Sequence, residues 1–199
     1  MVRLARFDAE DFVDAAVALI AEGGGAAASM AAIARKVGAP TGSIYHRFES
    51  RAAIIATAWQ AMQRAFVDRM APPLAGGRAR DAARGLVAWA REDITRARVF
   101  LLYDLEALLD GAPPEALRRS IVAQQEELEE AFRAHVDECA RATTQPRDEV
   151  AARARFLVFD APIALLRPHL LAGSQPPAFV ERIVDEMHAG DAMPARGAA

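Results

Sequence analysis

The side chains best suited to contact a partner are concentrated in one short stretch of the first quarter of the chain. Thr41 and Ser43 carry hydroxyl groups that can hydrogen-bond to base edges or phosphates, and Gly42 between them permits close approach. Four side chains suited to phosphate oxygens follow at Tyr45, His46, Arg47 and Arg51. These residue types favour recognition of a polyanion such as nucleic acid.

The charge distribution supports this reading. Between Ser29 and Arg51, the basic residues Arg35, Lys36, Arg47 and Arg51 stand against Glu49 alone, a net charge of +3, whereas the whole chain carries −3. Nucleic-acid binding needs a basic patch rather than a basic chain. We therefore expect any anion-binding face to lie in the first quarter.

Two short helices, separated by a tight turn, must position these side chains. Ile33, Ala34 and Val37 form a short apolar face that ends at Gly38, a residue that readily closes a turn. Pro40 fits the first turn of a second helix, in which Ile44 and Phe48 lie four residues apart. The inward apolar pair leaves Thr41, Ser43, Tyr45 and His46 facing outward, which predicts a helix-turn-helix.

The rest of the sequence predicts an all-α protein of about nine helices. Asp8 can cap a first helix that ends at the glycines 23–25, and Ser50 can cap a fourth that runs to about Met70. A loop over 71–77 precedes helices at about 79–94, 96–110, 114–141, 147–172 and 177–188. Pro162 and Pro168 should bend or end the eighth helix.

Composition and termini restrict the class of protein further. No stretch approaches the roughly 18 to 20 apolar residues of a membrane span. Residues 1–7 lack the apolar core and cleavage site of a signal peptide. The single cysteine, Cys139, cannot form an internal disulfide. We expect a cytoplasmic protein that does not associate with membranes, whose last residues, 189–199, are disordered.

Residues 33–51, IARKVGAPTGSIYHRFESR, resemble the signature of the TetR family of transcriptional regulators, roughly I-A-x-x-x-G-V-S-x-G-T-L-Y-x-H-F-x-S-K. The resemblance implies a three-helix DNA-binding domain over 1–49 and a helical ligand-binding and dimerisation domain over 50–188. It assigns groove contacts to Thr41, Gly42 and Ser43. It also assigns phosphate contacts to Tyr45, Arg47 and Arg51 and a groove-edge contact to His46. The helix N-terminus at Ser29 is assigned a further phosphate contact. Pro40 replaces the usual capping serine, and Arg51 replaces lysine.

The resemblance also implies partners and a mode of action. We expect a homodimer that binds double-stranded operator DNA as a repressor and is released by a small-molecule effector. Two apolar stripes are compatible with a dimer interface, one at 152, 156, 159, 163, 166 and 170 and one at 179, 180, 183, 184 and 187. The candidate effector-pocket residues are Trp59, Met62, Phe66, Trp89, Phe100, Tyr103, Phe132 and Phe159. Tyr103, Glu106 and His135 are the polar candidates for orienting the effector.

Two other functions stay open on the sequence alone. A helical ligand-binding protein without operator binding is one, and a helical enzyme is the less favoured other. The chain has no phosphate-binding glycine loop, no convincing nucleophile and base, and no metal-spaced cluster, so we expect no catalytic residues, metal or cofactor. His135 and Cys139 lie four apart and could share a metal or act as a redox pair, although a small buried cysteine is the commoner case.

Overall fold

The computed structural model describes residues 7–189, which fold into ten helices without a β-strand. The fold class predicted from sequence is therefore confirmed. None of these helices is long and apolar enough to cross a membrane. The helices are α1 (Ala9–Gly23), α2 (Met30–Val37), α3 (Thr41–Tyr45), α4 (Arg51–Ala75), α5 (Ala79–Glu92), α6 (Ile94–Leu102), α7 (Leu105–Leu108), α8 (Glu115–Ala142), α9 and α10 (Phe179–Ala189). Helix α9 runs from Arg147–Arg155 through a π-helical turn, Phe156–Asp160, into Ala161–Ala172.

Short-range side-chain bonds begin the first helices where the sequence predicts them. The Asp8 carboxylate accepts from Asp11 N at 3.0 Å, and the Asp11 carboxylate accepts from Asp8 N at 2.8 Å. The hydroxyl of Ser29 accepts from Ala32 N at 3.2 Å, and that of Ser50 accepts from Ala53 N at 3.1 Å. Each bond satisfies an amide that the helix start leaves unpaired.

One compact unit, unit 1, comprises the described residues 7–65 and 95–125. Its core joins the inner faces of α1 to α4, with the fully buried side chains of Phe12, Ile20, Ile33, Ile44 and Ile54. The predicted functional domains, residues 1–49 and 50–188, are a separate division and stay a prediction. Unit 1 contains all the residues predicted to contact DNA.

A second compact unit, unit 2, comprises the described residues 66–94 and 126–189. Leu86, Leu166 and Leu170 are fully buried in it. Ion pairs join α5 to α10: Arg80 Nε lies 2.9 Å from the Asp185 carboxylate, and Arg91 Nη1 lies 2.6 Å from Glu181. These bonds fix α10 against α5 beside the buried leucines.

Helix α4 continues beyond the predicted end near Met70. It includes Pro72 and Pro73 and ends only at Ala75, so the predicted loop over 71–77 is wrong for its first five residues. Proline removes backbone donors, but burial opposes this cost because Met70 and Leu74 are both fully buried. The helix then closes with bonds from Gly76 N to Pro72 O and from Arg78 N to Pro73 O.

The predicted helix over 96–110 is two helices. Helix α6 ends at Leu102, and Asp104 adopts an extended backbone and accepts from Ala107 N at 3.2 Å to begin α7. An aspartate side chain competes with helical bonding by offering this local alternative. The extra break raises the number of helices from about nine to ten. At the C-terminus, Ala189 is the last residue of α10, and the rest of the predicted tail lies outside the described residues.

The π-helical turn in α9 alters the predicted apolar stripe. It ends two residues before Pro162, whose ring crowds the preceding turn of the helix. The extra residue in the turn rotates the two halves of the helix relative to each other. Leu166 and Leu170 are fully buried, whereas Phe156 is 53% exposed, so the six residues do not form one buried stripe.

Candidate nucleic-acid interface

Helix α3 has a buried side and an exposed side. Ile44 is fully buried and Phe48 is 8% exposed, as predicted, and both belong to the core of unit 1. On the other side, Thr41 and His46 are exposed, and Tyr45 is 58% exposed. The apolar pair therefore anchors a helix of only five residues and leaves its polar residues accessible to a partner.

The start of α3 has an unusual form. Pro40 occupies the capping position in an extended conformation and offers no side-chain cap. Ser43 N instead donates to Pro40 O at 2.8 Å, which closes a tight first turn. Gly42 is exposed and a Cβ atom there would meet nothing within 4 Å, so a partner can approach the backbone closely. Ser43 is half-buried beside it.

The turn before α3 depends on Gly38. Its φ of 74° lies in the left-handed region, where a side chain is unfavourable. Gly38 N donates to Arg35 O, and Ala39 N donates to Ala34 O at 2.9 Å, which closes the end of α2. These bonds set the angle at which α3 leaves α2.

Helix α2 adds a second accessible surface. Ser29, its capping residue, is exposed, as are Arg35 and Lys36 near its other end. Lys36 Nζ lies 2.8 Å from the Glu22 carboxylate. The predicted site omitted Arg35, although the local charge count included it and could have identified it.

Arg47 points toward the protein. Its guanidinium donates to the carbonyl of Phe7 and lies over the ring of Phe12, 5.9 Å from the ring centroid. A longer bond, 3.5 Å, reaches the carbonyl of Ser43. In this conformation Arg47 ties the end of α3 to the start of α1.

Arg51 is also directed inward. Its side chain is 15% exposed and donates to the carbonyls of Gly25, Ala28 and Leu108. Its Nη1 also lies 3.4 Å from the carboxylate of Asp110. Both arginines therefore donate to backbone carbonyls in this structure, and their predicted phosphate contacts stay a prediction.

A comparison with protein families finds a match to the region that contains α2 and α3. The family model described as "Bacterial regulatory proteins, tetR family" covers residues 12–58, which include α2, α3 and the start of α4. Residues 12–58 are therefore similar to the TetR family. No curated protein matches the chain.

Solved structures of TetR-family and other regulators share the fold over the length of this chain. The regulator FadR from Bacillus subtilis, solved in complex with stearoyl-CoA, is 17% identical with a TM-score of 0.64, covering 92% of this chain and 99% of that one. The TetR-family regulator PfmR from Thermus thermophilus is 18% identical with a TM-score of 0.64, covering 98% and 100%. SmeT, the repressor of a Stenotrophomonas maltophilia multidrug efflux pump, is 16% identical with a TM-score of 0.57, covering 97% and 96%. At these identities the likeness concerns the fold.

Four of the predicted effector-pocket residues lie in unit 1. The rings of Trp59 and Phe100 pack with centroids 5.0 Å apart, and Met62 is 3% exposed. Tyr103 is half-buried and its hydroxyl donates to Ile20 O at 3.2 Å. The Tyr103 hydroxyl therefore supports α1 in this structure, and its predicted role in orienting an effector stays a prediction.

The other four predicted pocket residues lie in unit 2 as two aromatic pairs. Phe66 and Trp89 meet edge to face at 5.2 Å, and Phe132 and Phe159 do so at 5.8 Å. Such pairs are ordinary stabilising contacts of a helical core. Their assignment to an effector pocket stays a prediction.

Unit 1 contains a cavity of about 640 Å³, which Trp59 lines. The indole Nε1 of Trp59 donates to Gln63 Oε1 at 3.1 Å, and the Gln63 amide donates to Ile121 O at 2.8 Å, which fixes α4 against α8. The opposite wall is the connection between α6 and α8, with Leu105 and Glu106 among its lining residues. A cavity of this size suits a small organic molecule.

The His135 and Cys139 side chains share one face of α8, as their spacing predicts. Cys139 Sγ lies 3.6 Å from His135 Nε2. Within residues 7–189, no group of three or more histidine, cysteine or acidic side chains could hold a metal ion. Among the described residues, the pair has no third side chain of the kind that a metal centre needs.

Proposed function

We propose that this chain is a dimeric, operator-binding repressor of the TetR family that a small-molecule effector releases from DNA. The observation that carries the proposal is the two-sided α3, which buries Ile44 and exposes Thr41, Tyr45 and His46. A helix-turn-helix protein inserts such a helix in the major groove, with its first residues against base edges. No catalytic role is proposed.

Base and phosphate contacts divide between the two ends of α3. Thr41 and Ser43 are the candidates for base edges, through hydroxyl hydrogen bonds and contact of the Thr41 methyl with a thymine methyl. Gly42 would allow the close approach that such contacts need. The exposed hydroxyl of Tyr45 is the candidate for a phosphate, and the His46 side chain for the groove edge.

Helix α2 would supply the neighbouring phosphate contacts. The backbone amides at the Ser29 end carry the positive end of the helix dipole, which favours an anion. At the other end, Arg35 and Lys36 are exposed and basic. We include Arg35 in the proposed interface for this reason. Arg47, which donates to the carbonyl of Phe7, stays a candidate for a further phosphate contact.

A dimer is proposed through the exposed face of unit 2. Three large apolar side chains there are accessible: Phe156 and Leu171 of α9 are each 53% exposed, and Phe179 of α10 is 45% exposed. Ala164 and Pro168, also exposed, lie between Phe156 and Leu171 on α9. Exposed apolar side chains on adjacent helices are typical of an interface between copies. A two-fold dimer also matches the two-fold operators of helix-turn-helix regulators.

An effector is proposed from the cavity of unit 1 and from the similar proteins. FadR of Bacillus subtilis is solved with stearoyl-CoA, and SmeT represses a multidrug efflux pump. In this chain Trp59 lines a cavity of about 640 Å³, which suits a small molecule. We infer that the bound effector changes the separation of the two recognition helices, which are α3 of each copy in the dimer. These helices must lie about one DNA turn apart to contact both half-sites of the operator.

The test measures binding of the purified protein to a labelled fragment of its own upstream region by fluorescence anisotropy. Wild type should bind in preference to an unrelated competitor, and Tyr45→Ala should weaken binding by about tenfold because a single contact of this kind is worth about 1–2 kcal/mol. The chain offers a matched control, because Tyr45→Phe and Tyr103→Phe each remove one hydroxyl. Only Tyr45→Phe should reduce affinity.

The opposite results would contradict the proposal. If wild type binds neither the upstream fragment nor any sequence selected from random duplex DNA more tightly than it binds competitor DNA, operator binding is excluded. If Tyr45→Phe and Tyr103→Phe weaken binding equally, α3 is not the helix that recognises DNA.

A further inference from the structure

Arg51 forms a network of bonds that joins distant segments of unit 1. Its Nε donates to Ala28 O at 2.8 Å and its Nη1 to Leu108 O at 2.9 Å, while Nη2 donates to Gly25 O. Ala28 and Gly25 precede α2, whereas Leu108 ends α7, 57 residues further along the chain than Arg51. One side chain therefore connects the start of α4 to both segments.

This network uses three of the five guanidinium N–H donors, one on each nitrogen, and holds the guanidinium inside unit 1. Arginine binds a phosphate best through two parallel N–H groups of its planar fork. Here the Nε, Nη1 and Nη2 atoms all donate to carbonyls, and the side chain is 15% exposed. A contact of Arg51 with DNA would leave these carbonyls without their donor, which is unfavourable when they are shielded from water.

The segment that Arg51 holds is a wall of the unit 1 cavity. Leu108 is 3% exposed and packs so closely on the turn before α2 that a Cβ atom at Gly25 would lie 3.1 Å from Leu108 Cδ2. Leu105 and Leu109, on either side of Leu108, line the cavity. A molecule in the cavity that displaces this wall would therefore displace the carbonyl that Arg51 binds.

The lining indicates the chemistry of that molecule. Trp59, Leu105 and Ile121 offer apolar surface, while Asp104 and Glu106 contribute carboxylates. Among the described residues that line the cavity, only Arg118 is basic, and it already donates to Glu115 through Nε and Nη2, each at 2.8 Å. The lining therefore suits an amphipathic molecule with an apolar body and a cationic or hydrogen-bond-donating group.

We propose that Arg51 is a positioning residue that couples this cavity to α2 and α3, and that it does not itself contact DNA. The cavity takes an amphipathic molecule of the kind just described, and Arg51 transmits its presence by losing or shifting its bond to Leu108. The proposal rests on the proposed function, because operator binding is its readout.

The first test separates a positioning role from a phosphate contact. Removing one phosphate contact reduces the slope of log affinity against log salt by about 0.9. Arg51→Lys keeps the positive charge, but a single ammonium group cannot donate to three carbonyls that lie on separate segments. We expect Arg51→Lys and Arg51→Ala to weaken operator binding alike, with the salt slope unchanged, whereas Arg35→Ala lowers the slope. Wild-type affinity in Arg51→Lys, or a reduced slope in Arg51→Ala alone, would overturn the proposal.

The second test fills the cavity with a covalent probe. Cys139→Ser removes the only cysteine, after which Val122→Cys places a thiol in the cavity lining and Ala123→Cys places one next to it outside the lining. Each protein is labelled with N-phenylmaleimide. Labelling at 122 should weaken operator binding by about fivefold or more, the usual lower range of coupling between sites. Labelling at 123 should have no effect.

The same labelling in the Arg51→Lys background decides the role of Arg51. The effect of the label at 122 should fall below about twofold there, since the coupling has been removed. If the label has an equal effect in both backgrounds, or no effect in either, Arg51 does not couple the cavity to DNA binding. Operator binding by the unlabelled protein would still support the proposed function in that case. If the unlabelled wild type does not bind operator DNA, the proposed function fails and the inference with it.

Discussion

Truncation of Ile44 tests whether burial of one side chain holds α3 in place. The side chain is fully buried in the core of unit 1, and the helix has only five residues, too few to be stable alone. Ile44→Ala removes three carbon atoms. At about 0.8 kcal/mol for each buried methylene, the transfer free energy is about 2.4 kcal/mol. A residual cavity adds to this, so we expect a loss of about 3 kcal/mol in the free energy of unfolding.

Urea unfolding followed by circular dichroism measures this loss. The urea concentration at the midpoint should fall. The slope of the free energy of unfolding against urea concentration should stay constant, because the surface exposed on unfolding barely changes. Ile44→Val removes one methyl and should cost about 1 kcal/mol. Thr41→Ala, on the exposed side of the same helix, is the matched control and should change stability by less than about 0.5 kcal/mol. A loss below about 1 kcal/mol for Ile44→Ala would refute the argument that burial anchors α3.

Three further predictions concern the turn, an ion pair and the apolar face. Gly38→Ala should cost about 1–2 kcal/mol of unfolding free energy, because φ there is 74°, whereas Gly42→Ala in the exposed helix should be neutral or stabilising. The hydrogen bond from Arg80 holds the pKa of Asp185 in the folded protein below its ordinary value of 3.8. The stability that this ion pair contributes is therefore fully present above pH 3.8 and is lost as the pH falls through the lower pKa of the folded state. The difference in Tm between wild type and Asp185→Asn should therefore vanish in strong acid; a constant difference would contradict this. Leu171→Asp should shift the mass measured by analytical ultracentrifugation from dimer to monomer, and an unchanged dimer would place the interface elsewhere.

Features fixed by near neighbours in the chain were predictable. The caps at Asp8, Ser29 and Ser50 and the turn at Gly38 each depend on bonds between residues at most five apart. The inward placement of Ile44 and Phe48 follows from helical spacing. These local rules were enough to predict the helix-turn-helix geometry.

Features fixed by distant partners were not predictable. Helix α4 passes through Pro72 and Pro73 while Met70 and Leu74 on one side of it are buried, and local helix propensity does not include this burial. The π-helical turn before Pro162 alters which face of α9 is buried. The bond from Arg51 to Leu108 joins residues 57 apart, so the signature alone suggested an outward arginine.

Selection of bound sequences from a random duplex library tests most directly the claim that α3 reads DNA. Wild type should enrich an inverted repeat whose half-sites lie about one helical turn apart, as a two-fold dimer requires. Ser43→Ala should relax the preference at a defined position in each half-site, because one base contact is lost. Binding that is sensitive to salt but enriches no sequence would contradict the account, since phosphate attraction alone would then explain it.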